Sequence, residues 1–261
     1  MRACAVLLGL AALVRVADAA PDDLVAEPIV LAPGTFDVRL AIEARLETRS
    51  WLRPLSLSPD AYYGVTARLT IGLTHSDASL DRIDAGDTFC VRTEVPGGAS
   101  PCRDVYRGSN VDVRYLALRG PTGQWSLAAH ARFLIRDVDP FKPAVTLGAL
   151  ARWTRGRFAI WTDPYLQLGL ANRDRGNRAA VSVPIFLALQ PARRWELWLH
   201  TGFDTDVAVW RDGNHAPLAL GAAHAIRGPW RASLEVGWEE LYGAQHDYKA
   251  ATAIATIEWR D

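Results

Sequence analysis

The sequence predicts an all-β chain that crosses a bilayer as a closed, up-and-down antiparallel barrel of about twelve strands. Three observations carry this. Apolar and polar residues alternate with a period of two along almost the whole chain beyond residue 35. The alternating stretches run to roughly nine to thirteen residues, the reach a tilted strand needs to cross a bilayer, whereas globular strands are nearer five or six. Short turns and long polar links take turns between them. Beyond the N-terminus no apolar run is long enough for a spanning helix, and lipid cannot satisfy an open sheet edge, so such a chain must close on itself.

The chain opens on an export signal, expected over residues 1–19. Arg2 supplies the positive start, Ala3 to Val14 the apolar stretch, and Ala17-Asp18-Ala19 a small-x-small cleavage pattern. Arg15 ends the apolar run too early for an anchor. Cys4 leaves with this segment, so Cys90 and Cys102 remain. An exported chain meets an oxidising compartment, which makes a Cys90–Cys102 disulfide the expectation. It would close a loop of about a dozen residues, worth roughly 3 kcal/mol by chain entropy. Pro96-Gly97-Gly98 inside it reads as loop.

The clearest strand runs from Phe36 to Leu46. Phe36, Val38, Leu40, Ile42, Ala44 and Leu46 share one face, and Asp37, Arg39, Glu43 and Arg45 share the other. Later stretches repeat the pattern and put Asp60, Asp112, Arg114, His130, Arg132, Arg152, Asp163, Tyr165, Glu196, His200 and Glu235 on the polar face, which becomes the lumen wall. Tight turns are expected at 64–67, 120–124, 155–156, 191–194 and 227–229; the longest link is 77–108. Phe36, Tyr63, Trp125, Trp153, Phe158, Trp195, Trp230 and Trp259 sit beside short turns or chain ends in the phase of the apolar face. Amphipathic rings at one end of the strands form an interfacial girdle, which a soluble sandwich has no reason to build.

Two stretches, Tyr62 to Leu73 and Ala251 to Trp259, resemble the strand–turn–strand and the final strand of Gram-negative outer-membrane β-barrel proteins of small, porin-like type. Family members usually end on an aromatic residue, whereas Arg260 and Asp261 follow Trp259 here. The resemblance implies an outer-membrane location, with lipid and the barrel-insertion machinery as partners. Short turns are then periplasmic, residues 20–34 a short periplasmic N-terminal segment, 35–261 the barrel, and 77–108 an extracellular loop.

Twenty-nine basic and twenty-nine acidic residues give no net charge, which argues against a nucleic-acid partner. Two cysteines without nearby histidine make a poor metal site, and no cofactor motif is present. There is no Gly-x-Ser-x-Gly and no His-Glu-x-x-His, so the chain is not expected to be an enzyme. Mixed charge on the lumen wall predicts weak ion selectivity. Gly72, Gly148, Gly169, Gly202, Gly221 and Gly237 are expected to leave room inside, and Arg39, Arg114, Arg132 and Arg152 to form a basic strip facing Asp60 and Asp163. The expected function is passive diffusion of small polar solutes. The alternatives are a non-conducting structural or adhesive barrel acting through its loops and, behind it, a lipid-modifying enzyme.

Overall fold

A computed structural model describes residues 25, 27–46, 55–75, 88–91, 106–107, 109–138, 140–244, 246–247 and 251–261. The strands are β1 (Phe36–Arg45), β2 (Leu55–Thr66), β3 (Leu69–Thr74), β4 (Thr88–Val91), β5 (Tyr106–Arg107), β6 (Ser109–Arg119), β7 (Trp125–Val138), β8 (Phe141–Arg155), β9 (Phe158–Thr162), β10 (Tyr165–Gly169), β11 (Ala180–Ala192), β12 (Trp195–Asp206), β13 (His215–Arg227), β14 (Trp230–Gly243) and β15 (Ala251–Arg260). All pair antiparallel in one sheet, and β1 pairs with both β2 and β15, so the sheet closes. The result is a closed barrel of 12 staves.

Two departures from an even barrel matter. β9 and β10 are halves of one stave, parted at Asp163-Pro164, where proline has no N–H for the ladder; the Pro164 carbonyl still accepts from Ala149 N–H at 3.1 Å. β3 is only 6 residues long, and beyond its end the first residues of β2, Leu55 to Leu57, pair with β4 instead. Part of the 77–108 link is therefore a hairpin, β4–β5, in the wall of the barrel. The export signal at 1–19, the Cys102 half of the expected disulfide and the Cys90 side chain lie outside the described residues.

The burial pattern is the reverse of a soluble protein's. Outward residues such as Leu40, Ile71, Leu147 and Leu220 are exposed, while Ser58, Asp60, Thr70 and Asp112 on the opposite face are buried. Only lipid makes such an outer surface favourable. Cross-strand aromatic pairs mark the short-turn end: Phe36 with Tyr63, Trp125 with Trp153, and Trp230 with Trp259. The aromatics are not confined to that end, as the residue pattern alone would suggest. Phe141, Trp210 and Tyr242 are exposed at the long-link end, giving the second belt that a bilayer's other interface calls for.

Residues 25 and 27–35 belong to no strand. They do not lead away from the barrel. They turn into its mouth at the short-turn end, a segment referred to below as the strap.

Candidate functional site: the barrel lumen

Alternation along each strand sends every second side chain inward, and strand pairing fixes which of them meet. Register sets Arg39 opposite Asp60 on one side and Glu258 on the other, and Asp112 opposite Arg132. Asp37 accepts from Arg39 Nη2 and from Arg260 Nη2, both at 2.6 Å. Asp112 accepts from Arg114 Nε at 2.9 Å. His130 lies between two carboxylates, its Nε2 2.6 Å from Asp112 and its Nδ1 2.8 Å from Asp163. Both ring nitrogens can donate at once only when the ring is protonated. Arg132 adds a contact to Asp163 at 3.7 Å. Arg39 and Arg114 lie over the Tyr62 ring, and Arg132 over Tyr165. The expected basic strip facing Asp60 and Asp163 is not formed: register puts an acid opposite Arg39 and Arg132, Arg114 reaches Asp112 two residues away on its own strand, and Arg152 lies opposite Ser126 and Trp161.

The other side of the lumen differs. Glu196 accepts from Arg231, and Glu235 accepts from Trp198 Nε1 while facing His200 Nδ1 at 3.3 Å. Glu43 is fully buried on β1, and the Arg45 side chain lies outside the described residues. Trp161, Phe186 and His200 form a stack, with centroids 4.9 Å and 4.0 Å apart. With Trp198 they make an aromatic wall that the sequence reading missed. The signal was present, since all three aromatics fall in the polar phase of their strands.

The inward glycines do not hold the lumen open as expected. A Cβ at Gly221 would overlap the Trp198 indole, one at Gly72 the Tyr62 ring, and one at Gly148 the Pro164 carbonyl. Each is a place where a neighbour leans in, so the room the glycines provide is already filled.

The strap crosses this interior. Gly34 N–H donates to the Gly64 carbonyl and Gly64 N–H to the Thr35 carbonyl. Gly64 has to be glycine, because a Cβ there would overlap the Ala32 carbonyl. Leu31 N–H donates to Thr70 Oγ1 at 2.8 Å. Ile29 and Val30 pack with Ala128, Leu150 and Leu116, and Val25 with Ala159, Ala188, Trp161 and Trp198. Arg152 donates to the carbonyls of Val25 and Glu27. The Glu27 carboxylate meets Arg231 at 3.2 Å and Arg260 at 3.1 Å. Burial alone would raise the Glu27 carboxyl; the guanidiniums of Arg231, Arg260, Arg39 and Arg152 outweigh it and hold the group below its ordinary value.

Above the strap a cavity of about 310 Å³ remains. Arg39, Arg114, Arg132, Arg152, Arg231 and Arg260 line it, against Glu27, Asp60, Asp112, Asp163, Glu235 and Glu258. Trp161, Phe186 and Trp198 supply its apolar side. Asp37, Tyr165, Glu196 and His200 also belong to the inner face, in the networks around it. The aromatic residues expected as a girdle all lie on the outer face. Phe36, Tyr63, Trp125, Trp153, Phe158, Trp195 and Trp230 are exposed there, and Trp259 is half-buried.

No protein-family model matches the chain, and no curated protein sequence matches it. Solved structures do. The KdgM porin, in complex with disordered oligogalacturonate, is 6% identical with a TM-score of 0.56, over 86% of this chain and 98% of its own. The NanC porin is 8% identical with a TM-score of 0.57, over 85% and 97%. The COG4313 outer membrane channel from Pseudomonas putida F1 is 12% identical with a TM-score of 0.54, over 94% and 100%. At such identities the likeness is one of fold, and the fold this chain shares with them is the closed barrel of small outer-membrane porins and channels.

Proposed function

We propose that the chain is an outer-membrane channel for passive diffusion of small polar solutes, with weak ion selectivity. The observation that carries this is the central cavity, walled by six arginines and six carboxylates, inside a barrel whose outer surface is apolar. A wall of balanced sign admits polar solutes without a strong preference for either charge. The KdgM porin, whose fold this chain shares, is solved in complex with disordered oligogalacturonate, and a polar solute of that kind supports the reading. In this reading the chain is not an enzyme, and His130 serves the ion-pair network, since both its ring nitrogens are engaged by carboxylates and neither is left for a nucleophile.

Planar-bilayer recording of the refolded mature chain tests the proposal. Discrete ohmic steps, with a reversal potential near zero across a potassium chloride gradient, are the expected result. A protein that inserts and never conducts would sink it and leave the structural or adhesive barrel.

A further inference from the structure

The strap makes a specific use of its one carboxylate. Arg231 and Arg260 converge on Glu27 from two adjacent strands, β14 and β15, while Arg152 reaches across from β8 to the strap's backbone carbonyls. A carboxylate held by guanidiniums in a partly dry site is a built anion site. Here the occupant is part of the chain itself. The rest of the strap's tip is held by the two Arg152 bonds, by apolar contact at Val25, Ile29 and Val30, and by one N–H bond from Leu31. None of it joins the sheet. At the strap's base, Gly34 has a φ of 84°, with open space where a side chain would be, and its N–H makes one of the two backbone bonds to Gly64. This is the geometry of an arm pinned at one end and latched at the other.

We infer that the Arg231–Arg260 pair is a binding site for the carboxylate of a small solute, and that the Glu27 carboxylate occupies it in cis, holding the strap as a displaceable plug. The inference rests on the channel reading. A solute carboxylate that takes the place of Glu27 releases the tip, and the strap swings on Gly34. Loss of the Glu27 charge changes the wall: without it, six arginines face five carboxylates around the cavity. With the seat empty, as in a chain lacking the Glu27 charge, the pore shifts toward anions relative to the strapped one.

The test uses the full mature chain and Glu27→Gln, which keeps the shape of the side chain and removes its charge. Two readouts are taken. Trimming of residues 25–31 by proteinase K, followed by mass spectrometry, reports whether the strap is seated, independently of conduction. Planar-bilayer recording reports current and reversal potential. Trimming and open probability are both expected to rise at least about tenfold in Glu27→Gln, since two charge-assisted contacts, to Arg231 and Arg260, are weakened. Its reversal potential moves toward the anion side. Replacing chloride by gluconate at fixed ionic strength raises both readouts in the wild-type chain and leaves Glu27→Gln unchanged. Equal trimming of the two proteins, with no response to gluconate, overturns the strap proposal whatever the currents. Trimming that rises with no current in either protein upholds the displaceable strap and overturns the channel reading. Heat-modifiable migration on a gel confirms that each variant has formed its barrel.

Discussion

Gly221 and Trp198 are one structural unit, because the indole lies where a side chain at 221 would be, and its Nε1–H reaches Glu235 from there. Gly221→Val therefore evicts the indole. We expect the variant to lose about 1–3 kcal/mol, the usual cost of overpacking, measured as a lowered urea midpoint in lipid vesicles. His130 presents the opposite case, a polar side chain that satisfies two others. His130→Leu keeps the volume and leaves Asp112 and Asp163 each short of a donor. A loss of about 1–3 kcal/mol per carboxylate follows, partly offset by Arg114 and Arg132, and read in the same titration. Alternation along the strands is by itself enough to place His130 and both acids on one face. It also puts Trp161, Phe186 and Trp198 on that face, but tryptophan in a barrel reads first as an interfacial residue. The glycines mislead for a related reason. A sequence shows that a side chain is missing, and not which neighbour has moved into the space.

Among the elements, the strap is the least legible. It has no periodicity, its one acid is unremarkable in sequence, and its partners are brought to it only by barrel closure. Its docking depends on pH in a definite direction. The Glu27 carboxyl is held below its ordinary value of 4.5, by Arg39, Arg152, Arg231 and Arg260 and against the nearby acids Glu196 and Glu258. A depressed carboxyl stabilises the docked strap above pH 4.5, and that contribution is lost as pH falls through the lowered value. Proteinase trimming of residues 25–31 is thus expected to rise reversibly on acidification below pH 4.5, and to be flat in Glu27→Gln. A steric route to the same end is Gly64→Val. The new side chain would collide with the Ala32 carbonyl, so trimming at neutral pH should rise while β2 keeps its pairing with β1 and β3.

At the scale of the whole molecule the outer face governs stability. Leu220 on β13 is 67% exposed, paired with Leu199 and Val236 on its neighbours. Leu220→Arg is expected to cost about 2–4 kcal/mol if the residue sits near the bilayer midplane, against a small change for Leu220→Ala, by urea titration in vesicles. The closed barrel of twelve staves is legible because lipid outside and polar side chains inside leave strand alternation no alternative. The β4–β5 hairpin is not, since its few residues pair with β2 only where β3 stops short. Nor does the sequence mark Arg260 as more than a departure from an aromatic end. In the barrel it bonds to Asp37 and Glu27 together.

These paired contacts tie the strap to the last strand. The strap precedes every strand in synthesis, yet Arg231, one of its two carboxylate partners, lies 204 residues further along, and the other is the penultimate residue. Its seat does not exist until β15 has zipped to β1. A segment made before every strand is thus the last to come to rest, and a seated strap certifies a finished barrel. During refolding, protection of residues 25–31 from protease should follow the heat-modifiable band and never precede it.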